Sequence, residues 1–203
     1  MDGDYSELLA KTFKPQKIIA FEPTRESFIN LSNKLSTLEK AFPDTQFKAI
    51  NCAISDAYGH AKFHLLNQGG SNSLLELSDR SGYTRGIGLS EITQTTVPTV
   101  TIDGFVAANK IETVNFIKID TQGSEVAVLR GASRSLSLGK IRALQVECIT
   151  GELYVSQYTT GTLFKELESM GYKLITFHSV WPGLGYRLFQ FDALFAHFTL
   201  LDG

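Results

Sequence analysis

At 203 residues, 43% hydrophobic and 20% charged, the chain has the size and composition of a single soluble globular domain, and residues 1–203 are read as one unit. A net charge of -2 with no basic block gives nucleic-acid binding no electrostatic support, and no apolar run is long enough for membrane insertion. The acidic opening Met1-Asp2-Gly3-Asp4-Tyr5 is the opposite of a secretory signal, so a cytoplasmic protein is expected. Cys52 and Cys148 both fall in predicted strands and read as buried free thiols.

Residues 4–13 pattern as a short helix with Leu8, Leu9 and Phe13 on its apolar side, stopped by Pro15. The apolar run at residues 17–21 reads as a buried strand ending at Glu22-Pro23. Thr24 is then placed to cap a helix whose stripe is Phe28, Leu31, Leu35 and Leu38. Residues 47–54 read as one further strand, closed by Ser55-Asp56, and residues 61–65 as an antiparallel addition after a turn at Tyr58-Gly59. From residue 67 to 91 the composition changes to Gly, Ser, Asn and Arg, which fits a long loop that covers a site or is disordered. Residues 95–102 are rich in β-formers, and a short helix from Asp103 leads to the next strand.

That strand, Asn115-Phe116-Ile117-Lys118-Ile119, has the continuous apolar character of a central parallel strand. Asp120, Thr121 and Gln122 stand at its end, Gly123 supplies a turn, and Ser124 is placed to cap a helix carrying Val126, Leu129 and Leu136. Residues 142–149 form another strand, Leu163, Leu167 and Met170 mark a helix ended by Gly171, and residues 172–177 and 191–198 are two strands. The connection at residues 182–185 is too short for a crossover helix, so those last strands are antiparallel to each other. Alternating strands and helices with a terminal hairpin predict a three-layer α/β sandwich with a Rossmann-like sheet.

The strings Ala20-Phe21-Glu22-Pro23, Asn51-Cys52-Ala53-Ile54-Ser55-Asp56, Val100-Thr101-Ile102-Asp103, Lys118-Ile119-Asp120-Thr121-Gln122-Gly123-Ser124-Glu125 and Val146-Glu147 occur in fixed order. In that order and spacing, from about residue 3 to 198, the chain resembles the FkbM-type methyltransferases, class I enzymes that use S-adenosylmethionine. The family opens with a strand and an Asp-x-Gly-Ala-Asn-x-Gly loop; Gly3 matches the last Gly of that loop, and Tyr5-Ser6 match positions just after it. The strand itself is absent. It is central in the family's sheet, and its neighbours would be left with unpaired backbone groups, each costing about 1–3 kcal/mol if buried. A truncated gene model, a sheet that closes the gap, or a partner chain that fills it are the three expectations.

The resemblance implies S-adenosylmethionine as cofactor and a hydroxyl on a sugar, glycan or natural product as acceptor. Glu22, with Pro23, ends its strand where a carboxylate can accept from vicinal ribose hydroxyls; a surface Glu favoured by the next helix dipole is the other reading. Gly3 and Tyr5 fall at the methionine end, and Ala53 and Ile54 flank the adenine or simply pack in the core. Lys118 and Asp120 share strand parity, as do Gln145 and Glu147, so neighbouring strands would unite the four in one polar cluster. That cluster reads either as a structural network satisfying Lys118 or as a site in which Asp120 or Glu147 orients and deprotonates an acceptor hydroxyl.

Ser73, Tyr83 and Gln122 are candidate substrate contacts, with Asn72, Arg80 and Arg85 also on the loop and Tyr154 and Tyr158 at the pocket border or helix start. Glu125 reads as a dipole-favoured residue, and His60, His64, His178 and His197 suggest no metal site. Homo-oligomerisation stays open. A truncated, non-catalytic domain that binds a nucleoside-like ligand or acts as a scaffold is the alternative. A nicotinamide oxidoreductase is disfavoured, because no Gly-x-Gly-x-x-Gly turn comes after a strand.

Overall fold

The computed structural model of the chain describes residues 3–79, 84, 86, 88–182 and 188–200. The chain begins with helix α1 (Asp4–Phe13), strand β1 (Lys17–Phe21) and helix α2 (Arg25–Ala41). Helix α2 forms where its stripe predicts: Leu31, Leu35 and Leu38 are buried and pack on Ala20, Phe47 and Ala49. The helix ends as Phe42 N–H closes on the Leu38 carbonyl, and Pro43 cannot extend it. Helix α1 turns a different face inward than its pattern predicts. Ser6 and Ala10 are buried, whereas Leu8 and Phe13 are 55% and 72% exposed. Small residues face the protein because Tyr5, one position before Ser6, lies over the strand bearing Phe116.

Strand β2 (Gln46–Ile50) pairs in parallel with β1. The single strand expected over residues 47–54 is two. Asn51 interrupts it by donating its side-chain amide to the carbonyls of Glu22 and Pro23, which competes with ladder pairing. The chain then enters a second sheet as β3 (Ala53–Ile54), so Cys52 lies in the break and not in a strand, although it is buried and free. That second sheet has order β3-β5-β4, with β4 (Gly59–Leu66) antiparallel to β5 (Glu91–Val100). Helix α3 (Ile102–Ala108) comes next, its cap being Thr101, whose hydroxyl accepts from Gly104 N–H.

The third sheet carries the site. Its order is β6-β7-β9-β8, from β6 (Val114–Ile119), β7 (Ile141–Ile149), β9 (Leu188–His197) and β8 (Tyr172–Pro182). Strand β7 is parallel to β6 and antiparallel to β9, and β8 and β9 form the expected late antiparallel pair. Ile141, Leu144 and Val146 of β7 are fully buried. At about 1.5–3 kcal/mol per buried aliphatic side chain, this strand is the centre of the main core. Helices α4 (Glu125–Gly131), α5 (Ser133–Ser137) and α6 (Thr160–Ser169) contribute Val126, Leu129, Leu136, Leu163 and Leu167 to it.

The predicted helix through Val126, Leu129 and Leu136 is therefore two. At the junction a Cβ on Gly131 would collide with the Ser55 carbonyl oxygen, so the loop after β3 passes against bare backbone. The Asp103 carboxylate accepts from Arg134 and Ser135 N–H and holds the start of α5. Of the irregular connection expected at residues 182–185, Pro182 instead ends β8 and the remainder lies outside the described residues. No helix among the described residues is long and apolar enough to cross a membrane.

Among the described residues β1 pairs only with β2, and β6 only with β7. Phe116 and Ile117, expected to be buried on a central strand, are consequently half-exposed, and in β6 only Ile119 is fully covered. This mixed α/β architecture agrees with the predicted class.

Candidate functional site

The turn after β6 builds the site. Gln122 adopts φ +52 and Gly123 φ +94, and a Cβ on Gly123 would meet the Tyr154 ring at 2.8 Å. A left-handed Gln is costly unless its surroundings fix it, and here they do. Its carbonyl accepts from the Ser73 hydroxyl at 2.6 Å, and its side-chain oxygen accepts from Tyr154 at 3.3 Å. Ser124 does not cap α4 with its side chain. Its hydroxyl donates instead to the Thr121 carbonyl. Glu125 takes over the unsatisfied donors of the turn: its Oε1 accepts from Thr121 and Gly123 N–H at 3.0 and 3.1 Å. Burial pushes this carboxyl up even though those N–H groups oppose the shift. Glu125 therefore organises the turn from inside it.

The parallel register of β6 and β7 sets Lys118 beside Gln145, and the antiparallel register of β7 and β9 sets Glu147 opposite Asp192. Gln122 Nε2 bridges the two carboxyls expected to do chemistry, donating to Asp120 Oδ1 at 3.0 Å and to Glu147 Oε2 at 2.6 Å. Gln190 donates to the other oxygen of Glu147 at 3.3 Å. Lys118 Nζ lies 3.3 Å from Asp120 Oδ2 and 3.1 Å from Asp192 Oδ1. It also stands over the Tyr5 ring at 5.6 Å. Tyr5 stacks on Phe116 and donates to Gln145 Oε1 at 2.7 Å.

Burial dominates the electrostatics here. It raises Glu147 to about 9, reinforced by the negative charges of Asp120 and Glu125 and by a hydrogen bond with Asp120. Burial thus favours the neutral acid at Glu147, although both of its oxygens accept from amide groups. Burial pulls Lys118 down, but Asp120 and Asp192 together outweigh it and hold the ammonium above the usual lysine range. Burial also raises Tyr5, against the attraction of Lys118. An acid that keeps its proton beside an aspartate is an arrangement that can both donate to and accept from one bound hydroxyl.

The remaining predicted residues lie apart from this cluster. Glu22 and Pro23 come after β1 in a separate sheet, so the carboxylates at 22 and 120 end strands that share no ladder. The Glu22 carboxylate accepts from the N–H and hydroxyl of Thr24 at 3.0 and 2.8 Å. Thr24 thus serves Glu22 and makes no side-chain cap on α2. Gly3 is the buried N-cap of α1, and a Cβ there would meet Lys34 at 2.8 Å, so it packs on α2. Ala53 and Ile54 are buried in two hydrophobic clusters, the packing reading of these residues.

Ser73 is fully buried with its hydroxyl spent on Gln122, which makes it a brace for the turn. Asn72 accepts from Leu66 N–H, and Tyr158 is stacked by Arg130. Tyr83, Arg80 and Arg85 lie outside the described residues. Asp192 and Gln190 were missed by sequence reasoning; an Asp inside the apolar run Phe191-Asp192-Ala193-Leu194-Phe195 was the available signal. Behind Glu147 a small cavity is lined by Glu125, Cys148, Tyr158, Thr160 and Leu163, and the Thr160 hydroxyl is buried with no hydrogen-bond partner among the described residues.

Residues 2–174 match the model of the methyltransferase FkbM domain. Among solved structures the chain is similar to the crystal structure of methyltransferase FkbM from Methylobacillus flagellatus KT, with a TM-score of 0.58 at 16% identity. That similarity, which concerns the fold, covers 96% of this chain and 40% of the other, so this chain spans less than half of that one's length. No protein of curated function matches the chain.

Proposed function

This chain belongs to the FkbM methyltransferase family, and on that premise we propose that it transfers a methyl group from S-adenosylmethionine to an oxygen, the hydroxyl of a sugar, glycan or natural product. The observation that carries the oxygen acceptor is the pairing of half-buried Asp120 with buried Glu147, bridged by Gln122 at the end of β6. Alcohols are weak nucleophiles until their proton has somewhere to go. Asp120 takes that proton, Glu147 donates to the same oxygen and orients it, and Gln122 fixes the distance between the two carboxyls. Lodging the acceptor in this layer also excludes water, and positioning of this kind is worth about 7–11 kcal/mol of barrier.

S-adenosylmethionine, when bound, supplies an electrophilic methyl group. The chemistry at the end of β1 fits its ribose. Glu22 is half-buried, its carboxylate is oriented by Thr24, and the carbonyls of Glu22 and Pro23 are locked by Asn51. Glu22 would hold the vicinal hydroxyls, and the backbone at the start of α1 would meet the methionine end. The packing of Gly3 on Lys34 supports a main-chain contact there.

Calorimetry with S-adenosylhomocysteine tests the cofactor assignment. The wild-type chain should bind, and Glu22→Ala should weaken binding at least about tenfold, the loss expected for charge-assisted hydrogen bonds. Equal affinity in both proteins would remove Glu22 from the site. Absence of binding by the full chain would favour the scaffold reading.

A further inference from the structure

Among the described residues, three carboxyls, half-buried Asp120 and Asp192 and buried Glu147, share one layer with the half-buried ammonium of Lys118. The ammonium does not divide itself evenly. It contacts Asp120 Oδ2 at 3.3 Å and Asp192 Oδ1 at 3.1 Å, whereas the two oxygens of Glu147 receive the neutral amides of Gln122 and Gln190. Neutral amide donors favour an ionised carboxyl far less than an ammonium at contact does. We propose that Lys118 is a positioning residue for the reaction: it allots the negative charge of the Asp120–Glu147 pair to Asp120 and leaves the shared proton on Glu147. This deepens the methyl-transfer reading, on which it rests, by fixing which carboxyl accepts the acceptor proton and which donates to the oxygen.

The surroundings keep Lys118 to that task. Its ammonium rests on the face of Tyr5, a ring held in turn by Phe116 and by the hydroxyl bond to Gln145. Helix α1 therefore carries the lower support of the site. The other titratable groups around the layer are Glu125 on α4, Cys148 on β7 and Tyr154 after it. Their polar atoms are spent elsewhere: Glu125 Oε1 accepts from Thr121 and Gly123 N–H, Tyr154 donates to the Ser71 carbonyl, and burial pushes the Cys148 thiol up to about 12. Asp192, from β9, is the second anchor of the ammonium and shares it with Asp120.

Lys118→Met keeps the aliphatic stem and deletes the charge. Infrared spectra across pH read the carboxylic-acid bands directly, with that of Glu147 identified by its loss in Glu147→Gln. In the Met variant a second acid band should appear at neutral pH and vanish on adding Asp120→Asn. The acidic limb of the pH–rate profile should move up by about one unit or more, the effect of removing an opposite charge at contact. Turnover should fall about tenfold or more while S-adenosylhomocysteine affinity stays within about twofold. Lys118→Arg should restore most of both.

No new band in the Met variant, or an unmoved limb, would overturn the assignment and leave Lys118 a structural residue. Should Lys118→Met not fold, Asp192→Asn gives the opposite test, because it releases the ammonium wholly to Asp120. The limb should then move to lower pH, and a fixed limb is the refuting result. The infrared readout needs neither methyl donor nor acceptor. The expected bands in a protein that transfers no methyl group would sink the proposed activity while the charge allotment stood.

Discussion

Glu147 makes stability depend on pH, and the burial of its carboxyl sets the sign of the dependence. Its carboxyl is raised from 4.5 to about 9, first by burial and then by the charges of Asp120 and Glu125. Between those values the folded chain holds a proton that the unfolded chain has lost. The folded state is therefore favoured most below about 4.5, and the advantage drains away as pH rises through 9. Each pH unit within the window removes about 1.4 kcal/mol, or about 3 kcal/mol across two units near neutrality.

Glu147→Gln supplies the hydrogen-bond inventory of the neutral acid, one donor and one acceptor side, without the titration. Urea unfolding of both proteins at about pH 6 and about pH 8 measures the difference in slope. The variant should gain on the wild type by about 1–3 kcal/mol over that interval. Glu125 is also raised, but it is present in both proteins and cancels in the comparison. Parallel pH dependences would mean that Glu147 is ionised in the fold, and the donor role given to it would fall with that result.

Gly131→Ala should cost about 3 kcal/mol, seen as a lower urea midpoint, because its Cβ would meet a backbone oxygen that has no rotamer to yield. An unchanged midpoint would place the Ser55 loop elsewhere. Thr160→Val should raise stability by about 1 kcal/mol by deleting a buried hydroxyl that has no partner among the described residues; a loss of that size would reveal one. Asp120→Asn should lower turnover about a hundredfold or more with S-adenosylhomocysteine affinity nearly intact. Equal losses in both would make Asp120 a binding residue.

Periodicity carried the parts of the fold that bury one continuous stripe or run. The spacing of Leu31, Leu35 and Leu38 is enough to place α2, and the apolar runs of β7 and β9 are enough to place the core. Competition for backbone groups leaves no trace in periodicity. Asn51 divides a run of strand formers, Glu125 displaces Ser124 from the start of α4, and Thr24 turns to Glu22; each is a side chain acting on the main chain through contacts that only the folded chain creates. For the candidate site, strand parity grouped Lys118, Asp120, Gln145 and Glu147 correctly in space. Asp192 needed the antiparallel register of β7 and β9, which pairing alone supplies. Ser73 reads as an exposed loop serine in sequence and is a buried brace in the structure, because its hydroxyl is matched to a carbonyl 49 positions away.

The two unshared strand borders have a mechanical outcome. Glu22 and Asp120 ride on plates that no common ladder rivets together. The elements spanning them are softer: the edge-on contact of Phe21 with Phe105, and α1 laying Tyr5 across β6. Stacked rings tolerate sliding that a row of N–H···O=C bonds does not, so among the described residues the spacing of Glu22 and Asp120 is set by side chains.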